Sequence, residues 1–242
     1  MLLTSATMDD HMTALTLHFH PLSSCCHKVL IALDGLGIQV DKQLLNLGDS
    51  AERAAFLALW PTGKMPLLVD GGQAIPETSI IIEHLQQHHA GPGARLIPHG
   101  AGEALDVRLW DRLLDLYVMT PMQALTGDLL RAEADRDPLG VSRARDVLLS
   151  SYAMIDRRLE GRQWLAGGAF SMADCAAAPA LFYAVTYVPL APEHGRLATY
   201  FERLLERPSV ARTIDAARPY FKYFPGRQGL SRRFLDPEKE TG

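Results

Sequence analysis

The sequence predicts a small α/β domain followed by an all-helical domain. Strand-like and helix-like segments alternate over about the first 90 residues, and after about residue 100 only helical periodicity continues. A Gly- and Pro-rich stretch at residues 91–100 separates the two parts as a linker. A chain of 242 residues is long enough for two domains with a sizeable hydrophobic core.

The first part follows the order β-α-β-α-β-β-α. Residues 15–19 alternate apolar and polar side chains before Pro21, as a short strand does. Asp70-Gly71-Gly72 stands between two short apolar runs, which is a strong β-hairpin signal. This order is that of a thioredoxin-like domain, in which one crossover unit and one hairpin form a small sheet. The other predicted elements are helices at residues 26–36, 51–60 and 77–89 and strands at residues 40–47, 67–69 and 73–75.

Helices account for the whole second part. The first covers residues 103–119 and is disturbed at Thr120-Pro121, and others follow at residues 141–159, 197–206 and 210–217. Ser171 is the predicted N-cap of a buried helix, with Asp174 at the capping-box position. We expect a flexible extension at residues 1–14, a thioredoxin-like domain at 15–92, an all-helical domain at 100–230 and a polar tail at 231–242.

Composition and charge argue against several classes of protein. The net charge of −4 gives no reason to expect a nucleic acid or an anionic membrane as partner. No run approaches the roughly 18 apolar residues of a membrane helix. The three cysteines have no disulfide-framework spacing and no signal-peptide pattern precedes them, which favours a reducing, cytoplasmic compartment. His84 and His88 lack a completing ligand pattern, so we expect solvated helix surface and no metal.

Ser23, Ser24 and Cys25 lie where the first strand turns into the first helix. Backbone N–H groups there are unpaired and carry partial positive charge, which favours an anion. A hydroxyl or thiol at this point can donate to a thiolate and lower its pKa. Alternatively, Ser23 or Ser24 is only an N-cap, and Cys25 is either a reactive thiol or a small packed side chain.

Two further motifs are suited to a peptide ligand. Met65-Pro66 opens a strand, and a cis bond there would turn the backbone N–H and C=O of Met65 outward to pair with a peptide, whereas a trans bond would simply begin the strand. Glu77-Thr78 opens a helix, and beyond ordinary capping these side chains suit the ammonium and carboxylate of an α-amino acid end. Glutathione has such an end in its γ-glutamyl group.

In this order and spacing, the motifs resemble those of the cytosolic glutathione S-transferases over about residues 15–220. The resemblance implies a cis Pro66, and Lys64 near a carboxylate of glutathione. It also implies that the Met65 backbone pairs with the cysteinyl unit and that Glu77 and Thr78 hold the γ-glutamyl end. Thr78 replaces the serine that is usual in the family and keeps its hydroxyl.

The resemblance further implies conjugation of the glutathione thiolate to a small, hydrophobic electrophile, a role in detoxification, and a homodimer. Glutathione would be a co-substrate, with no metal. The pattern is similar to the theta, tau and zeta classes, which use a serine, and to the beta class, which has a cysteine. Ser23, Ser24 and Cys25 therefore all remain candidates, and we favour Ser23. The alternatives are a thiol transferase or reductase based on Cys25, and a non-catalytic glutathione-binding protein. Candidate residues for the electrophile pocket are Tyr117, Met119, Tyr220, Phe221 and Tyr223.

Overall fold

The computed structural model describes residues 15–235. The extension expected at residues 1–14 and the end of the expected tail, residues 236–242, lie outside this range. Within it, a four-stranded sheet with helices forms the N-terminal part and helices alone form the rest. The predicted fold class, a thioredoxin-like domain followed by an all-helical domain, is confirmed.

The sheet has the strand order β2-β1-β3-β4. β1 and β2 are parallel and are connected by helix α1, whereas β3 runs antiparallel to both β1 and β4. The β3–β4 hairpin turns at the Gly pair that the sequence indicated, since Gly71 and Gly72 both have positive φ. The elements are β1 (Thr16–Phe19), α1 (Ser24–Leu36), β2 (Asp41–Leu44), α2 (Ser50–Leu59), β3 (Leu67–Asp70), β4 (Gln73–Ile75) and α3 (Thr78–His88).

The helical domain begins with a long helix that contains one widened turn. A π-helical turn at Asp115–Met119 joins two α-helical segments just before Pro121, which has no backbone N–H to donate. The sequence predicts this disturbance, but not that the helix continues beyond it. The helices are α4 (Ala101–Leu114), α5 (Thr120–Leu129), α6 (Pro138–Arg158), α7 (Met172–Tyr187), α8 (Gly195–Glu206), α9 (Pro208–Ala217) and α10 (Arg232–Leu235).

Helix α7 runs through the centre of the helical domain, and its residues from Met172 to Ala184 are all buried. The predicted capping box is present, because Ser171 and Asp174 bond reciprocally at its start. Part of the expected polar tail also packs on this helix. Phe234 in α10 places its ring 4.9 Å from that of Phe182, so the chain at residues 232–235 belongs to the helical domain.

The two domains share one hydrophobic core. Helix α1 contacts α3 within its own domain and α7 and α9 of the helical domain, and Val29 and Ile31 are fully buried there. The predicted linker is also docked. The Gln86 side chain of α3 accepts hydrogen bonds from the backbone N–H of Leu96 (2.7 Å) and Ile97 (2.8 Å). None of the helices within residues 15–235 is long and apolar enough to cross a membrane.

Candidate functional site

The three sequence motifs meet in one cavity between the sheet domain and the helical domain. This polar cavity has a volume of about 530 Å³. The sheet domain contributes the start of α1, the loop before β3 and the start of α3, and the helical domain contributes one side of α4 and α5. Its lining includes Ser23, Cys25, Trp60, Lys64, Met65, Pro66, Glu77, Thr78, Arg112, Asp115, Leu116, Met119, Thr120 and Gln123.

Ser23 is both the N-cap of α1 and a wall of the polar cavity. Its Oγ accepts a hydrogen bond from the backbone N–H of Cys26 (3.3 Å). Because this bond uses only a lone pair of the oxygen, the hydroxyl proton can still be donated to a ligand. Ser24 is buried as the first residue of α1 and lines neither this cavity nor the one beside it. The structure therefore separates Ser24 from the other two candidates.

Cys25 lines the cavity, but its surroundings favour the protonated thiol. The Gln123 side chain donates a hydrogen bond to its Sγ (3.4 Å). Burial raises the pKa of the thiol, and the negative charge of Asp115 adds to this, outweighing the opposing effect of Gln123. Cys26 is fully buried, and burial raises its pKa to about 12. Neither thiol has the lowered pKa of an activated cysteine.

The loop before β3 brings a backbone edge and a positive charge to the cavity. The Met65-Pro66 peptide bond is cis, as the family resemblance implied. Pro66 is buried, Met65 is half-buried, and the Lys64 side chain is exposed. The main chain of Met65 therefore lies beside the cavity, with an exposed ammonium group one residue before it.

Helix α3 begins at the cavity with a strained residue. Glu77 is the only residue other than glycine within residues 15–235 that has a positive φ, with φ 67° and ψ 120°. Its side chain makes no capping hydrogen bond and is exposed. Such a conformation costs about 1–3 kcal/mol and is found mostly at ligand sites. Thr78 follows in the first turn of α3, where the partial positive charge of the helix favours an anion.

A buried ionic cluster connects the helices that line the cavity. Lys28 of α1 is completely buried, and its Nζ lies 2.7 Å from Asp111 Oδ1 and 3.1 Å from Asp115 Oδ2. It also donates to Ser79 Oγ (3.1 Å), which in turn donates to Asp111 Oδ2 (2.5 Å). Burial opposes the charge on Lys28, but the two carboxylates outweigh it and its pKa is raised. The cluster fixes α1, α3 and α4 around the cavity.

A second cavity adjoins the first and is more apolar. This aromatic cavity, of about 670 Å³, shares Ser23 and Met65 with the polar cavity. Tyr220 packs edge-on against His20, with 5.6 Å between the ring centroids. Its lining includes His20, Leu22, Ser23, Leu44, Leu45, Asn46, Leu47, Gly48, Met65, Leu130, Tyr220, Tyr223 and Pro225.

The five residues expected in an electrophile pocket lie in different parts of the structure. Tyr220 and Tyr223 line the aromatic cavity, and Met119 lines the polar cavity. The expectation is wrong for Phe221, which is buried in the core against Phe182, with 5.8 Å between ring centroids. It is also wrong for Tyr117, which lies in the π-helical turn and lines a groove beside α6 but neither of the two cavities.

Comparisons with known proteins agree with this architecture. The family model described as glutathione S-transferase, N-terminal domain, matches residues 17–93, and that described as glutathione S-transferase, C-terminal domain, matches residues 133–203. The chain belongs to the cytosolic glutathione S-transferase family. Glutathione S-transferase 3 of Zea mays is 26% identical over 212 residues, covering 85% of this chain and 95% of that protein.

Solved glutathione S-transferase structures share the fold. One from Methylobacillus flagellatus KT, with glutathione bound, is 27% identical with a TM-score of 0.74, covering 83% of this chain and 98% of that one. The glutathione transferase URE2P8 of Phanerochaete chrysosporium, with oxidized glutathione, is 21% identical with a TM-score of 0.77. It covers 88% of this chain and 99% of that one.

Sequence reasoning found only Met119 of the helix face that the helical domain contributes to the polar cavity. Arg112, Asp115, Met119 and Gln123 are spaced three or four residues apart and so occupy one helix face. That periodicity is visible in the sequence, but nothing in it says that this face turns toward the sheet domain. Trp60 was not predicted to line the cavity, because the sequence indicated only that helix α2 ends there.

Proposed function

We propose that the protein is a glutathione transferase that binds glutathione in the polar cavity and joins its sulfur to a small hydrophobic electrophile in the aromatic cavity. The observation that carries this proposal is the position of Ser23 and Met65, which line both cavities where they adjoin. A thiolate held at this junction would meet the Ser23 hydroxyl on one side and the electrophile on the other.

Each part of glutathione has a complementary group in the polar cavity. The Lys64 ammonium would meet the glycyl carboxylate, and the Met65 backbone would pair with the cysteinyl unit as an added strand does. Thr78 and the start of α3 would hold the γ-glutamyl carboxylate. The Glu77 carboxylate, left without a capping partner, would take the ammonium.

Catalysis would rest on stabilising the thiolate. The thiol loses its proton to solvent, the Ser23 hydroxyl donates a hydrogen bond to the sulfur anion, and the sulfur lone pair forms the new bond to an electrophilic carbon. The electrons displaced at that carbon leave with a leaving group or take up a proton. A hydrogen bond to a charged group contributes about 1.5–3 kcal/mol, or roughly 10- to 100-fold in thiolate population.

The test of this assignment is a pH–rate profile with a chromogenic electrophile for three alanine variants. Ser23→Ala should raise the apparent pKa of bound glutathione by about 1–2 units, because it removes the donor to the sulfur. Ser24→Ala is the matched control, since it removes a neighbouring hydroxyl that lines neither cavity, and its profile should match that of the wild type. Cys25→Ala should keep conjugation.

Other outcomes would favour other functions. Loss of conjugation in Cys25→Ala but not in Ser23→Ala, with a glutathione adduct on Cys25 by intact mass, would favour a thiol transferase. The raised pKa of Cys25 argues against that chemistry. Glutathione binding without turnover of any electrophile would favour a non-catalytic binding protein. No calorimetric binding at millimolar glutathione would overturn the whole proposal.

The proposed assembly is a homodimer that uses α3 and α4. Large apolar side chains on these helices and the following turn are exposed to solvent: Ile80 (55%), Leu105 (67%), Leu109 (51%) and Leu116 (41%). Leu105 and Leu109 are four residues apart and therefore lie on one face of α4. A second copy would cover this apolar surface, as the family resemblance implies.

A further inference from the structure

Three side chains converge at the end of α3 that is remote from the polar cavity. Asp70 ends β3, His84 lies in the second turn of α3, and His89 is the C-cap of that helix. The Nε2 atoms of both histidines lie 2.7 Å from the same oxygen, Asp70 Oδ2. All three potential ligand atoms are within 4.8 Å of one another.

This cluster is held by regular structure. Asp70 pairs with Gln73 across the hairpin, and the His89 N–H bonds to Leu85 O (2.9 Å). The three side chains are only 15–23% exposed. His88, in contrast, is exposed and is not one of the three convergent ligands. The expectation of a plain solvated helix surface is therefore wrong for His84, because its partner lies 14 residues earlier in the sequence.

We propose that Asp70, His84 and His89 form a binding site for a divalent transition metal, with Zn²⁺ as the best fit. Zinc in proteins prefers imidazole nitrogen and carboxylate oxygen, and three protein ligands with a water molecule complete a tetrahedral site. The separations of 2.7 Å are hydrogen-bonding distances, and small side-chain movements would open space for an ion about 2.0–2.2 Å from each ligand atom.

Metal binding changes the tautomer of each histidine but releases no proton from it. In the metal-free cluster, each histidine presents an N–H at Nε2 to the carboxylate. On binding, each neutral imidazole would carry its proton on Nδ1 and give the Nε2 lone pair to the metal. The Asp70 carboxylate would exchange two hydrogen bonds for one metal bond.

The site is separate from the proposed glutathione site. Thr78 opens α3, and His84 and His89 follow six and eleven residues later, roughly 9 Å and 16 Å along the helix axis. Asp70, His84 and His89 do not line the polar cavity. A bound ion would tie the β3–β4 hairpin to the last turn of α3. We therefore expect the metal to increase the thermal stability of the protein.

The experiment titrates Zn²⁺ into the full chain, with any affinity tag removed and the protein first treated with a chelator. Calorimetry should show one equivalent bound, and Zn²⁺ should raise the melting temperature. Asp70→Asn, His84→Ala and His89→Ala should each weaken Zn²⁺ binding by at least about tenfold. Mutation of a side chain that only hydrogen-bonds to a metal ligand already lowers metal affinity about 10- to 100-fold. His99→Ala is the control, because His99 is an exposed histidine outside the cluster, and this variant should bind as the wild type does.

A second readout guards against variants that bind poorly because they are misfolded. Each variant should keep the wild-type circular dichroism spectrum, and Co²⁺ added to the wild type should give the intense visible absorption of a four-coordinate site. Absence of binding at submillimolar Zn²⁺, or equal loss of affinity in His99→Ala, would overturn the proposed site. Binding that is unchanged in all three ligand variants would also overturn it.

Discussion

The backbone of Glu77 is strained because a side chain other than glycine occupies positive φ. Glu77→Ala and Glu77→Gly both remove the carboxylate, so both should weaken glutathione binding. They should differ in stability, since only glycine adopts this conformation without a clash of its Cβ. We expect the glycine variant to be more stable than the alanine variant by about 1 kcal/mol. Urea unfolding and calorimetric titration measure the two effects.

Glu103 provides the matched control, because it lies in the first turn of α4 with an ordinary helical backbone. There the order should reverse, with Glu103→Gly less stable than Glu103→Ala by about 1 kcal/mol. If glycine is no better than alanine at residue 77, the backbone of Glu77 is not strained. If neither variant of Glu77 binds glutathione more weakly, this carboxylate does not contact the ligand.

His27 should make stability fall in mild acid. Its side chain is buried and lies 2.6 Å from Pro21 O, and burial lowers its pKa to about 4. An unfolded chain has a histidine pKa near 6.5, so the unfolded state binds the proton more readily and stability is lost as pH falls from about 6.5 toward 4. By pH 5 the loss should be on the order of 2 kcal/mol.

The measurement compares urea unfolding of the wild type and His27→Gln between pH 7.5 and pH 5. The variant should lose less stability over this range, by on the order of 2 kcal/mol. Equal slopes in the two proteins would mean that His27 does not remain neutral in the folded state.

The residues that line the polar cavity were predictable where the backbone fixes their position. The strand-to-helix turn at Ser23, the loop at Met65 and the start of α3 all reach the cavity that the motifs indicated. Side chains on helices were less predictable, because their direction depends on packing. Tyr117 and Phe221 are aromatic residues near the correct segments, but one turns toward α6 and the other into the core.

The start of α7 depends on Asp174, which is completely buried. Its carboxylate accepts hydrogen bonds from the backbone N–H of Leu165 (3.1 Å) and Ser171 (2.8 Å) and from the Tyr200 hydroxyl (2.6 Å). Asp174→Ala leaves all these donors without their acceptor, and each buried unpaired group costs about 1–3 kcal/mol. We expect a loss of at least about 3 kcal/mol in urea unfolding.

Asp156 offers a comparison, since it accepts the buried backbone N–H of Leu197 (2.9 Å) at the start of α8 and pairs with Arg196, whose side chain is 51% exposed. Asp156→Ala should cost less than Asp174→Ala, because water can reach the Arg196 guanidinium that it leaves unpaired. A loss below about 1 kcal/mol for Asp174→Ala would show that the donors find other partners.

Secondary structure was predictable where turn signals were strong. The prediction was incomplete where tertiary contacts decide the outcome. The Gly pair at the hairpin and the capping box at Ser171 mark their elements correctly. β2 is shorter than predicted because it lies at the edge of the sheet and its four residues are exposed. The segment after Pro121 continues as α5 because a π-helical turn accommodates the proline.

The proposed homodimer predicts a monomer when its apolar surface is made charged. Leu109 is 51% exposed on α4, and Leu109→Glu would place a carboxylate in a buried contact. We expect sedimentation at micromolar concentration to give a dimer for the wild type and a monomer for this variant. Leu139→Glu is the control, because Leu139 is 61% exposed but lies on α6. A monomeric wild type, or a dimeric Leu109→Glu, would contradict the proposed interface.

Helix α1 packs against α7 and α9 as well as against its own domain. The buried apolar surface is therefore continuous across the boundary between the domains. Each domain covers apolar surface of the other domain that would otherwise be exposed to water. Exchanging one half for that of a distant homologue would therefore mismatch a packed surface in the centre of the protein. We expect the two halves to have diverged together, with changes on α1 compensated on α7 and α9, and new specificities in this lineage to arise by local substitution and not by shuffling of domains.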